Sequence, residues 1–144
     1  MPAQSYENHV QLVTAYHRIT LPLLLLTLIG SGVNLYLSWG DHERVYSASL
    51  IVVLTVCLVL TAFFARVFAL KAQDRAIRVE ENLRHFVMTG KLLDPRLSVK
   101  QIVGLRFASD EEFVALARKA ADEGMTPGAI KRAVKNWRAD TYRV

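Results

Sequence analysis

Two apolar runs dominate the pattern: 22 residues without a charge lie between Arg18 and Asp41, and 21 lie between Arg44 and Arg66. At a rise of about 1.5 Å per residue, each run reaches roughly the 30 Å of a bilayer's hydrocarbon core. The pattern predicts membrane-spanning helices over residues 19–39 and 45–65. The first run holds ten Leu or Ile residues, each favouring insertion by roughly 0.3 to 0.6 kcal/mol, and this outweighs Thr27, Ser31 and Asn34. A chain of 144 residues is too short to wrap two such helices in protein, which argues against a soluble core. The connection "GDHER", Gly40 to Arg44, allows only a tight hairpin, so the spans run antiparallel over residues 19–65. Thr20 is the expected N-cap of the first span, and Pro22 falls in its first turn, where the missing N–H costs nothing.

The second run does not stop at a turn. The stretch "LTAFFARVFALKAQDRAIRVEENLRHF" passes from apolar to charged sequence with no Gly or Pro. Within it Ala65, Ala69, Ala72, Ala76, Val79, Leu83 and Phe86 recur at alternating steps of four and three. That phase predicts one helix that leaves the bilayer as a stalk over residues 66–88, with a packed seam along its length. The alanines permit close approach of another helix. Off the seam, Asp74 with Arg78 and Glu80 with Arg84 form i, i+4 pairs of about 0.3–0.5 kcal/mol each. The chain's own tail or N-terminal segment is the expected cover for the seam, with a second copy or another membrane subunit as the alternatives.

Before the first span, Tyr6, Val10, Val13 and His17 are spaced as one face of a short amphipathic helix in an N-terminal segment, residues 1–18. The apolar run after it is about twice too long for a signal peptide and ends in "LSWGD", so the first span is expected to stay. After the stalk, "TGKLLDPRLS" breaks the helix, and a tail domain follows over residues 98–144. Ser98 is expected to cap a helix reaching about Phe107. In "SDEEFVALARKAADEGM", Ser109 caps, Glu112 closes a capping box and Gly124 terminates. In "TPGAIKRAVKNWR", Thr126 caps, Pro127 takes the first position, and Ile130, Val134 and Trp137 face inward. The predicted fold class is an all-α membrane protein: a two-helix transmembrane hairpin, its second span extended into a cytoplasmic stalk, plus a small C-terminal helical domain.

Charge settles orientation. Of 18 Lys and Arg residues, 16 lie from Arg66 onward, against 10 of the 13 acids, within a net charge of +5. Arg66, Lys71, Arg75, Arg78 and Arg84 follow the second span closely, whereas the hairpin connection carries one cation. The excess of cations places both termini on the cytoplasmic side. Tyr36, Trp39 and Tyr46 mark the opposite interface.

Candidate chemistry is sparse. The single cysteine, Cys57, permits neither an intrachain disulfide nor a cysteine metal site. His9 and His17 are too far apart for i, i+4 chelation and read as interfacial residues. There is no glycine-rich phosphate loop, HExxH or GxSxG, and Asp110, Glu111 and Glu112 are explained by a helix's first turn. The chain is therefore expected to be no enzyme and to use no metal, cofactor or small-molecule substrate. No acid or base lies within the spans to carry transport, and Asn34 is expected to pair with Thr55 or Ser49. Ala120, Gly124, Met125 and Ile130, followed by Lys131, Arg132 and Lys135, fit a loose helix-turn-helix. This raises the alternative of a membrane-tethered DNA-binding regulator. The same cations suit anionic lipid at about 1 kcal/mol each, so nucleic acid is the weaker partner. In "KNWRADTYRV", Trp137 and Tyr142 offer apolar surface with a polar handle, while Arg138 and Arg143 reach acidic groups. Those four residues and the seam are the candidate partner-binding positions.

The segments "SYENH", "ARVFALKAQDRAIRVEENLR", "LRFASDEE" and "IKRAVKNWRADTYRV" together resemble a bacterial family of small two-span membrane proteins of unknown function, loosely labelled permease-like. The resemblance implies the bacterial inner (cytoplasmic) membrane and no assigned activity. Two spans without intramembrane charge make no pathway alone. The resulting expectation is a non-enzymatic accessory or scaffolding subunit of a larger inner-membrane assembly. Its partners would be the lipid bilayer and other membrane subunits or a second copy.

Overall fold

The computed structural model describes residues 4–8 and 12–140, in which helices are the only repeated elements. They form two compact units, residues 12–69 and residues 4–8 with 70–140. Helix α2, His42–Thr89, contributes to both without interruption.

In the first unit, helix α1, Leu21–Leu37, is preceded by a π-helical turn, Ala15–Thr20, so the apolar helix covers Ala15–Leu37. Proline cannot donate, and its ring crowds the carbonyl four residues back. A widened turn just before Pro22 relieves that conflict. The Leu21 N–H reaches the Tyr16 carbonyl, five residues back. Thr20 is therefore not the cap that the sequence suggested. Its backbone is helical, and its hydroxyl donates to the Ala15 carbonyl at 3.1 Å. Among the described residues no separate amphipathic helix precedes the span: Tyr6 lies in a turn and His17 belongs to the π turn, while Val10 falls outside them.

At the hairpin, Gly40 adopts φ +99°, the left-handed region open to glycine. The Asp41 carboxylate accepts the Glu43 and Arg44 N–H groups, both at 3.2 Å, and so caps α2. Burial in this unit is inverted relative to a water-soluble core. Ser31, Ser38, Ala48 and Thr55 are buried, while Leu23, Leu25, Leu26, Ile29, Leu54 and Phe63 are exposed. The hydroxyls of Thr27, Ser31, Thr55 and Thr61 donate to carbonyls of their own helices at 2.8 Å. Such satisfaction within each helix suits a medium that offers no hydrogen bonds. Thr55 and Ser49 are bonded to the Ile51 and Tyr46 carbonyls, so Asn34 does not pair with them as expected, and its side chain is exposed. Tyr16 links the two helices by donating to the Ala62 carbonyl at 2.8 Å.

The second unit holds the end of α2 and helices α3 (Val99–Leu105), α4 (Asp110–Asp122) and α5 (Pro127–Ala133), the three short helices expected after the stalk. Gly90, at φ +71°, ends α2. Ser98 and Gln101 form a reciprocal capping box on α3. Gly124, at φ +61°, lets the Met125 N–H reach the Ala120 carbonyl at 3.1 Å and closes α4 in a Schellman arrangement. Thr126 caps α5 through the Ala129 N–H at 3.2 Å. The core gathers Leu93, Leu97, Ile102, Leu105, Phe113 and Ile130. A Cβ on Gly104 would lie 3.3 Å from the Pro127 carbonyl oxygen, so the bare glycine sets how closely α3 meets α5.

Two expectations in this unit fail. Ser109 starts α4 without a side-chain cap bond, and Glu112 does not close a capping box on it because its carboxylate is engaged elsewhere. It accepts the Lys135 and Asn136 N–H groups at 3.1 and 3.0 Å. Those bonds stop α5 at Ala133 and hold the following chain extended. There Ser109 N–H donates to the Asn136 carbonyl at 3.1 Å, and Arg138 N–H donates to the Phe107 carbonyl at 2.7 Å. Val134 is buried and Trp137 half-buried, as the spacing required, but from an extended segment rather than a helix.

Candidate functional site

The part of α2 that belongs to the second unit, from Leu70 to Thr89, has two faces with different fates. One carries Ile77, Glu81 and Arg84 and is covered by the helical tail. Glu81 is only 4% exposed and pairs with Arg84 at 3.0 Å and, more loosely, with Arg138 at 3.6 Å. Arg84 also reaches Asp110 at 2.6 Å and the Ala108 carbonyl at 2.8 Å, while its guanidinium lies 4.2 Å from the centre of the Phe113 ring. A buried carboxylate is tolerable here because its charge is matched and its lone pairs are occupied. The i, i+4 pairs read from the sequence do not form. Arg84 turns to Glu81 rather than Glu80, and no ion pair joins Asp74 to Arg78 among the described residues.

The other face is the predicted seam, and the chain leaves it open. Val79, Leu83 and Phe86 are 68%, 60% and 49% exposed, and Ala72 and Ala76 are exposed as well. Of the two upper members, which belong to the hairpin unit, Ala65 is exposed and Ala69 half-buried. The expectation that the chain's own tail folds onto the seam is thus corrected. At about 100° per residue, Val79 lies roughly opposite the Ile77–Glu81–Arg84 face and Leu83 about 130° from it, so a tail bound to that face leaves them open, while Ala76, about 100° from Ile77, borders the cleft beside the tail.

Trp137 stacks at 4.9 Å between ring centres on Phe107, and Arg138 extends along the Phe107 backbone toward Glu81. Trp137 thus packs within the tail, and Arg138 joins the tail to α2. Tyr142 and Arg143 lie outside the described residues. A cleft of about 290 Å³, lined by Gln73, Ile77, Glu81, Arg106, Arg138 and Asp140, opens beside this contact. Arg106 pairs there with Asp140 at 3.0 Å, and the Asp140 N–H donates to the Gln4 side chain at 2.8 Å. The α4–α5 pair has the buried Ala120 and Ile130 that a helix-turn-helix needs, but α5 is seven residues long. Its cations face aromatic rings: Lys131 lies 5.5 Å from Phe107 and Arg132 5.7 Å from Tyr6. His17 contacts the Val13 carbonyl at 3.0 Å, and His9 is outside the described residues.

The sequence reading missed Glu81, Arg84, Asp110 and Glu112 as the residues that assemble this unit. Arg84 and Asp110 are separated by 26 residues, a distance at which local spacing gives no signal. The one available clue was Ile77, Glu81 and Arg84 at steps of four and three, a second stripe behind the seam. At the loop, Arg96 is paired with Asp94 at 2.7 Å and with Asp122 at 2.9 Å. Hydrogen bonds from the Arg96 side chain and backbone hold the Asp94 carboxyl down to about 2.

The structure thus defines an all-helical protein with two helices long and apolar enough to cross a membrane, joined to a small helical tail. The chain belongs to a family of unknown function (DUF6526), which it matches over residues 1–144. No curated protein and no solved structure matches it.

Proposed function

We propose that this protein is a non-enzymatic accessory or scaffolding subunit of a larger assembly in a bacterial inner membrane. Its hairpin spans the bilayer, and both termini lie in the cytoplasm. The observation that carries the reading is the open seam. Val79, Leu83 and Phe86 present apolar surface to water on a helix whose opposite face is already filled by the tail. Contiguous apolar surface of this kind marks a site of association. The inverted burial of the hairpin supports membrane insertion, and the cation excess from Arg66 onward supports the orientation. The tail, clamped through Arg84, keeps the seam turned outward. Isolation of the native protein from its own membranes in mild detergent tests the proposal. Stoichiometric co-migration of one or more other membrane proteins is expected, and recovery of this chain free of any other protein would refute the accessory role.

A further inference from the structure

Among the described residues, Ala72, Ala76, Val79, Leu83 and Phe86 keep steps of four, three, four and three, a repeat of 3.5 residues. An isolated helix repeats at 3.6 residues, and a strict 3.5 repeat is the signature of a seam that another helix follows along its length. We propose that the seam's occupant is the same seam of a second copy of this chain, forming a parallel two-stranded coiled coil. The proposal rests on the reading of the open stalk face as an association surface, and it names the partner.

The direction follows from insertion. Two copies held in one bilayer with the same topology present their stalks in the same direction, so the pair must be parallel. Parallel pairing makes a specific demand on the residues that flank the seam. The position just before one core residue faces, on the partner, the position five residues later, just after the next core residue. Here these are Arg75, which precedes Ala76, and Glu80, which follows Val79. Arg75 of each copy therefore meets Glu80 of the other, twice by symmetry. Both residues are exposed, and neither belongs to an ion pair among the described residues. The chain thus supplies both halves of the charge complement. Alanine at the membrane-proximal layers allows close backbone approach there, and Val79, Leu83 and Phe86 fill the wider layers beyond. The tail's contacts through Ile77, Glu81 and Arg84 lie on a different face from Val79, Leu83 and Phe86, and Ala76 and Glu80 stand at the edge between the two, beside the tail-side cleft.

The test uses the full chain in native membranes, with Cys57→Ala removing the only cysteine. Single cysteines at Ala76→Cys, Val79→Cys and Leu83→Cys are oxidised, with Arg78→Cys as the off-seam reference. Disulfides need Cβ atoms within about 4.5 Å, so the seam positions are expected to yield at least about fivefold more adduct of twice the chain mass than position 78. Combined with Val79→Cys, either Arg75→Glu or Glu80→Arg sets like charges opposite each other and should lower the adduct about threefold. The double reversal should restore it. Equal adduct at position 78, or a yield indifferent to the charge reversals, overturns the parallel pair. Seam cysteines that link only to a different protein also overturn it while leaving the accessory role intact. A charge-sensitive dimer from cells in which no other protein co-purifies would retain the pair and refute that role instead.

Discussion

Arg84 draws the second unit together, touching Glu81, Asp110, the Ala108 carbonyl and the Phe113 ring. Replacing it with methionine keeps much of the packing but leaves Glu81 buried without its main partner. Removing one member of a buried pair costs about 3–5 kcal/mol. Arg84→Met is therefore expected to destabilise the second unit by about 3 kcal/mol, read from denaturant unfolding in detergent by Trp137 fluorescence in a Trp39→Phe background. Arg138→Ala, whose partner lies 3.6 Å away and whose side chain is half exposed, should cost less than about 1 kcal/mol in the same assay. Asp94 sets a pH marker. Its carboxyl is held at about 2 in the folded chain, against 3.8 for the free group. The lowered value means that its contribution is complete above about pH 4 and is lost as pH falls toward 2. A carboxyl carbon titration by NMR should show its midpoint near 2, rising to the ordinary value in an Arg96→Ala variant.

At the scale of the element, one helix serves two partners on opposite faces, and only one of these is supplied by the chain itself. Ala72 is exposed here, so Ala72→Leu should change the unfolding free energy of the unit by no more than about 0.5 kcal/mol. It should nevertheless reduce retention of associated chains in mild detergent several-fold, because leucine blocks the close approach that alanine permits. Lys71→Leu, one residue away and off the seam, should retain them. Equal retention by both variants would remove the seam from consideration. Local signals were readable where the answer is local: Ser98, Thr126, Gly90 and Gly124 end or begin helices as their residue types require. Glu112 was misread because a distant claim on its carboxylate, from Lys135 and Asn136, prevailed over the nearby one. Thr20 was misread because a helix can absorb a proline by widening a turn rather than by starting at it. The direction in which the tail folds could not be read, since two apolar stripes compete on the stalk and a network spread over 58 residues, from Glu81 to Arg138, decides between them.

Across the whole molecule the two units follow opposite rules of burial. The hairpin exposes leucine and buries serine, while the second unit buries Phe107, Phe113 and Ile130 and exposes most of its charge. The first rule is the one an apolar medium favours and the second the one water favours, and α2 contributes to both units. The proposed orientation has a direct readout in intact cells carrying Cys57→Ala. A membrane-impermeant thiol reagent should label His42→Cys, at the hairpin, and should miss Asp140→Cys until the cells are opened. Labelling of position 140 in intact cells would reverse the topology.

The π turn before Pro22 has a consequence for how the chain tolerates insertions and deletions. A π turn is an α-helix carrying one surplus residue, since each widened bond spans five positions instead of four. Losing one residue between Ala15 and Thr20 would restore ordinary winding. The few residues of the hairpin unit that precede the deletion would then turn by up to about 100° around the helix axis. Tyr16 would swing away from the Ala62 carbonyl, and the clash at Pro22 would return. Downstream of Pro22 the phase of α1 would be untouched, so Ser31 and Ser38 would keep their buried positions. The surplus residue therefore acts as a local phase shifter: it sets where Tyr16 stands against Ala62, independently of the spans themselves.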